Sequence, residues 1–190
     1  MPTYAWTAKD KFGAPAWLFK SHLSTVYHNA GDNDTALKLT REAIALKPDA
    51  SLFVDLANRL ARYHDDAPGA RAALERVDPD LVPEPGKPFV IRLRGIISWL
   101  ERDFENARRE LEQAVRDMEK TRHIPGRTGN IAVAKGYLCC VQAKLGHREA
   151  ALKCYQQARG YLVATKETKL LKDCQAGLSL FNNQNSLPNP

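Results

Sequence analysis

Residues able to do covalent or metal chemistry are few in this chain, and their spacing speaks against a reaction centre. Five histidines occur, at His22, His28, His64, His123 and His147. On a helix, His22 and His28 would point roughly 240° apart, which denies them the i, i+4 geometry of a paired metal site. Cys139, Cys140, Cys154 and Cys174 contain no C-x-x-C pair. Adjacent helical cysteines point about 100° apart, so Cys139 and Cys140 cannot share one metal. The four read as buried free thiols, with a zinc site including His147 as the sharper alternative. No glycine loop ending in Gly-Lys-Ser/Thr is present to cradle a phosphate. No serine or cysteine lies in a recognisable motif with a histidine and an acid. The chain is therefore expected to be non-catalytic, with no metal and no cofactor.

Charge says more than reactivity does. The 190 residues carry a net charge of +6, unevenly spread. Met1 to Arg122 holds 19 Lys/Arg against 19 Asp/Glu, whereas His123 to Lys172 holds 9 against 2. Arg127, Arg148, Lys153, Arg159, Lys166, Lys169 and Lys172 form the candidate basic patch. It would suit an acidic or phosphate-bearing partner, or be a merely solvated face. The Gly126-Arg-Thr-Gly129 segment has the outline of a loop that grips a nucleic-acid backbone. It lacks the flanking strands such a loop needs and reads as a connector between helices.

The elements that must carry these residues are read from hydrophobic spacing. Gly31 to Leu37 and Gly146 to Leu152 share a Gly-x4-Ala-Leu pattern, and Ala70 and Ala107 hold equivalent places. Ala36, Ala70, Ala107 and Ala151 are spaced by 34, 37 and 44 residues. A period near 34 residues predicts stacked helical hairpins. The repeats are placed at 17–50, 51–84, 88–122 and 130–163, with a capping helix over 164–181. Asp34 is placed to cap the second helix, and Pro48 stops it. Four prolines between Pro79 and Pro88 exclude a helix there. The segment from Ile124 to Gly129 reads as a loop. Residues 1–16, with Tyr4, Trp6 and Phe12, are an N-terminal extension packed over the first hairpin or free to dock a partner. Residues 182–190 read as a disordered polar tail. The capping helix carries Leu170, Leu171, Cys174, Leu178 and Leu180 on one face and lysines on the other. No apolar run is long enough to span a bilayer, and no secretory signal opens the chain, so a cytoplasmic protein is expected.

With these positions in hand, the chain resembles tetratricopeptide repeat proteins. Leu23, Tyr27, Gly31, Ala36, Ala43 and Pro48 match in the first repeat. Gly95, Phe104, Ala107, Leu111 and Ala114 match in the third, and Leu138, Cys139, Gly146, Ala151, Tyr155 and Ala158 in the fourth. The second repeat keeps mainly Ala57, Ala70 and Leu74. The resemblance implies an all-α, right-handed superhelical array of antiparallel hairpins, about four repeats plus a cap. It also implies that first helices line a concave groove holding a protein or peptide. Carried over residue by residue, the groove would contain His28, Asn29, Arg59, Arg62, Tyr63, Arg92, Trp99, Tyr137 and Lys144. Its arginines suit carboxylates and its aromatics offer stacking surfaces. Members that clamp acidic chaperone tails use lysine, asparagine and arginine where this chain has Ser21, Thr25, Leu56, Phe89 and Leu93, so that subclass is not expected. The sequence thus points to an adaptor for a protein or peptide, acidic in character. Nucleic-acid or anionic-surface binding through the basic end is the alternative, and self-assembly into a homo-oligomer is a third reading. No membrane insertion is expected.

Overall fold

A computed structural model describes residues 15–184, with side chains described through 181. The expected N-terminal extension, with Tyr4, Trp6 and Phe12, lies outside the described residues apart from its last two positions, as do residues 185–190 of the expected tail. Among the described residues, nine α-helices follow one another: α1 Ala16–Asn29, α2 Asn33–Leu46, α3 Ala50–Tyr63, α4 Ala67–Glu75, α5 Lys87–Leu100, α6 Phe104–Lys120, α7 Arg127–Lys144, α8 Arg148–Ala164 and α9 Thr168–Gln184. The chain divides into two compact units at Val82 and Pro83. This boundary falls inside the proline-rich connection, which forms only short 3-10 turns over Pro79–Leu81 and Glu84–Gly86. Pro88 is accommodated in the first turn of α5, where its missing N–H costs no helical hydrogen bond.

Within the first unit, α1 packs on α2, α2 on α3, and α3 on α4. Leu37, Leu52, Phe53, Leu60 and Val77 are buried there. Within the second unit, α5 packs on α6, α6 on α7, and α7 on both α8 and α9. Leu93, Ile97, Leu111, Met118, Val141 and Leu162 are buried there.

The same turn recurs five times. A residue with positive φ stands five places before each small or apolar anchor: Gly31 (89°), Asp65 (52°), Arg102 (65°), Gly146 (81°) and Lys166 (57°). The anchors Ala36, Ala70, Ala107 and Ala151 have 0% exposure, and Leu171 holds the fifth place. In every case the anchor's N–H donates to the carbonyl of the residue following the positive-φ position, at 2.9–3.2 Å. Such a left-handed residue ends one helix and reverses the chain, so that the next helix folds back on the first. Three turns use an aspartate cap: Asp32 accepts from Thr35 N, Asp66 from Gly69 N and Asp103 from Asn106 N. The first of these corrects the expected cap at Asp34, which lies inside α2. The Thr35 backbone amide holds the Asp32 carboxyl below its usual range.

Small residues let the paired helices touch. Ser24, Gly95 and Cys139 each precede their anchor alanine by twelve residues, and all three are buried. Ser24 Oγ donates to the Ala36 carbonyl at 2.8 Å and lies 2.8 Å from Thr40 Oγ1. A Cβ at Gly95 would lie 2.7 Å from Leu111 Cγ and 3.1 Å from the Leu111 backbone nitrogen. In the second hairpin, Ala57 precedes Ala70 by thirteen residues, and the turn closes with Asp66 N donating to Leu60 O. That extra residue explains why this repeat matches the pattern least well.

Some expected faces differ. Val26 and Tyr27 of α1 are exposed. The helix α7 begins at Arg127, so the supposed loop to Gly129 becomes its first turn, with only Gly126 left-handed (φ 77°). In α9, Leu170 and Cys174 are buried as expected, but Phe181 rather than Leu180 faces inward.

Two substitutions test the turn and the crossing. Gly95→Ala is expected to lower stability by about 1–3 kcal/mol, because Leu111 presents backbone as well as side chain to the new methyl. Lys166→Gly is expected to raise it by up to about 1 kcal/mol, since glycine accepts a left-handed φ without steric cost. Chemical denaturation of both variants checks the signs.

Candidate partner-binding site

In the first unit, three of the expected contact residues meet. His28 and Asn29 end α1, while Arg62 and Tyr63 end α3. The His28 and Tyr63 rings lie 4.9 Å apart with a 58° tilt. His28 Nδ1 lies 2.9 Å from Asn33 Oδ1, and Nε2 lies 3.5 Å from the Tyr63 hydroxyl. An amide oxygen only accepts, so Nδ1 donates to Asn33. The Arg62 guanidinium sits 4.9 Å over the Tyr63 ring. Asn29 is exposed beside them.

Arg59 does not join this surface. It is 3% exposed, and both its Nε and Nη2 donate to Asp55 Oδ2, at 3.1 and 3.0 Å. Its charge is matched by the acid one helical turn earlier, as burial demands.

In the second unit, Arg92 is 1% exposed. Its guanidinium lies 4.2 Å over the Phe89 ring, and Nη1 donates to Asn130 Oδ1 at 2.8 Å, tying α5 to α7. Tyr137 is buried as well. The reason is the position of α7, against which α5, α6, α8 and α9 all pack. Nearly every residue from Ile131 to Ala143 is therefore buried. Arg59, Arg92 and Tyr137 are thus interior residues, which corrects the expectation that they face a partner.

Trp99 and Lys144 do come together. With Leu100, Arg102 and Phe104 they line a cleft of about 440 Å³ at the turn between α5 and α6. The Trp99 and Phe104 rings lie 5.4 Å apart with a 45° tilt. Behind the turn, Asn106 Nδ2 donates to Ser98 Oγ at 3.0 Å, and Ser98 Oγ donates to Glu110 at 2.9 Å. Sequence reasoning missed Arg102. The available signal was a long cation in the slot that glycine fills in the first and fourth repeats.

Of the basic patch, Arg148, Lys153, Arg159, Lys166, Lys169 and Lys172 are exposed. Arg127 is buried and donates through Nη2 to the Pro85 carbonyl, so it leaves the patch. Its aliphatic stem and fork hold the start of α7 against the preceding connection.

The thiols are free. Cys139, Cys140 and Cys174 are buried, and the Cys140 and Cys174 sulfurs lie 3.7 Å apart. Among the described residues no group of three or more His, Cys, Asp or Glu could hold a metal ion. The hydrogen bond with Cys174 and burial both raise the Cys139 thiol. Burial pushes Cys154 up to about 11. A raised thiol pKa keeps the neutral form across physiological pH, and the neutral form is unreactive. Cys154 alkylation by iodoacetamide is accordingly expected to be slow at pH 8. It should accelerate about tenfold per pH unit until near pH 11, as followed by mass spectrometry of the native protein.

No protein-family model, curated protein or solved structure matches this chain.

Proposed function

We propose that the protein is a non-catalytic adaptor whose hairpins are repeats of the tetratricopeptide kind, arranged as an α-solenoid that binds a protein or peptide of acidic character. One observation carries the reading. The expected contact residues that keep exposed surface all fall at the C-terminal ends of first helices: His28 and Asn29 on α1, Arg62 and Tyr63 on α3, Trp99 on α5 and Lys144 on α7. Cations at helix C-termini also favour the helix dipole, which accounts for some of their placement. The dipole does not account for aromatic rings beside them, and rings paired with cations are the composition of binding hot spots.

Panning a random twelve-residue peptide library on the protein tests this. Acidic sequences should be enriched, and calorimetry should show each of Arg62→Glu and Lys144→Glu weakening them by about tenfold, equal to about 1.4 kcal/mol. Absence of enrichment, or equal binding to both variants, would reject the adaptor reading.

A second reading has its own support. Arg148, Lys153, Arg159, Lys166 and Lys172 are exposed and form no ion pair among the described residues. Nucleic-acid binding through them would lose affinity steeply between 50 and 200 mM salt, whereas an apolar peptide contact would not. Fluorescence anisotropy with a twenty-nucleotide single strand checks this, and salt-independent or undetectable binding removes it.

A further inference from the structure

The cleft at the α5–α6 turn has a narrower chemistry than an acidic groove. We propose that it takes a two-residue signature on an extended peptide, a carboxylate beside an aromatic or large apolar side chain. This inference rests on the peptide-binding reading and adds the identity of the residues recognised.

The walls supply both halves. Trp99, Leu100 and Phe104 supply apolar lining, and Arg102 and Lys144 supply two cations. Neither cation forms an ion pair among the described residues. Asp103, next to Arg102, is committed to the α6 cap through Asn106 N. Two like charges around one cleft with no acid of their own favour an incoming anion. A volume of about 440 Å³ falls in the range of ligand-binding clefts and has room for two side chains.

The anion is a carboxylate rather than a phosphate. A phosphate group wants several converging backbone N–H donors, as at a free helix N-terminus. Here α6 is the only helix that begins at the cleft, and the Asp103 carboxylate already occupies its cap. The helices α5 and α7 end there instead, and helix C-termini carry partial negative charge that penalises a dianion. An arginine and a lysine are enough for a single carboxylate. The Trp99 and Phe104 rings, tilted by 45°, leave an uneven apolar surface that a flat base would cover poorly but a side chain can fill.

The turn also offers a clean variant. Arg102 holds a φ of 65°, which glycine adopts freely. Arg102→Gly therefore removes the cation while keeping or improving stability, so lost binding cannot be blamed on unfolding.

The experiment is a ¹⁵N–¹H titration of the full chain with acetyl-Gly-Asp-Phe-Gly-amide. The expected result is shifts of the Trp99 indole and of amides from Trp99 to Phe104 and at Lys144. Replacing the peptide's Asp by Asn, or its Phe by Gly, should weaken binding by about tenfold each, as should Arg102→Gly in the protein. Lys144→Gln should weaken it by a smaller factor. Shifts centred on Arg62 or on α8 and α9, or an unchanged affinity in Arg102→Gly, would overturn the cleft proposal while leaving the adaptor reading standing. Adenosine monophosphate saturating the cleft more tightly than the peptide would also overturn it. Failure of this peptide and of every panned peptide to bind would remove both.

Discussion

Helices that cross on residues with almost no side chain are the constraint from which the rest follows. Ala36, Ala70, Ala107 and Ala151 have no exposed surface, and each lies five places after a left-handed turn residue. The two features need each other. A left-handed residue reverses the chain within three or four positions, leaving no slack for large side chains where the helices first meet. A small residue at that point allows close approach, and the contact made there offsets the strain of the turn. The strain is real in three of the five turns, since Asp65, Arg102 and Lys166 carry a Cβ that the left-handed region disfavours. Packing further along the pair must hold them in place, as Leu111 does against Gly95.

Fixing the turn fixes where each first helix ends, and that decides which side chains meet solvent. The ends of α1, α3, α5 and α7 project aromatic, amide and cationic groups. The middle of α7 is almost wholly buried, as is Arg92 of α5, because neighbouring helices pack over them. Arg92 shows what happens to a cation placed there. Its Nη1 donates to an amide oxygen from α7 and its guanidinium lies over an aromatic face, so it becomes a tie between helices. Arg59 is neutralised by Asp55 of its own helix, and Arg127 donates to a carbonyl of the connection before α5. Three arginines thus do structural work, each donating to a group that packing brings within reach.

The thiols follow the same logic. Cys139 occupies the small-residue place in the α7–α8 crossing, where glycine and serine serve in other hairpins. Its burial and its contact with Cys174 keep the thiol neutral, so it behaves as a compact apolar group. Packing accounts for its presence at this crossing.

By itself, the sequence determined the periodic part of the protein. Alanines near 34-residue intervals, glycine before two of them and a proline cluster pointed to paired helices and to a break, which ends at Gly86 rather than Pro88 because α5 takes Pro88 into its first turn. These signals are legible because they are local: a turn needs its residues within a few positions, and a helix repeats every 3.6. The helix ends were less legible, since Asp32 and Asp34 are equally good caps and only the closing of the turn selects the first. Which cations remain open to solvent was decided by tertiary structure alone. Arg62 and Arg59 are three residues apart on one helix, yet one lies over the half-buried Tyr63 ring and the other is sealed with Asp55. Arg102 and Lys144, far apart in sequence, come to line one cleft. Burial depends on which helices pack against a given face, and that is a property of the assembled unit that no window of sequence contains.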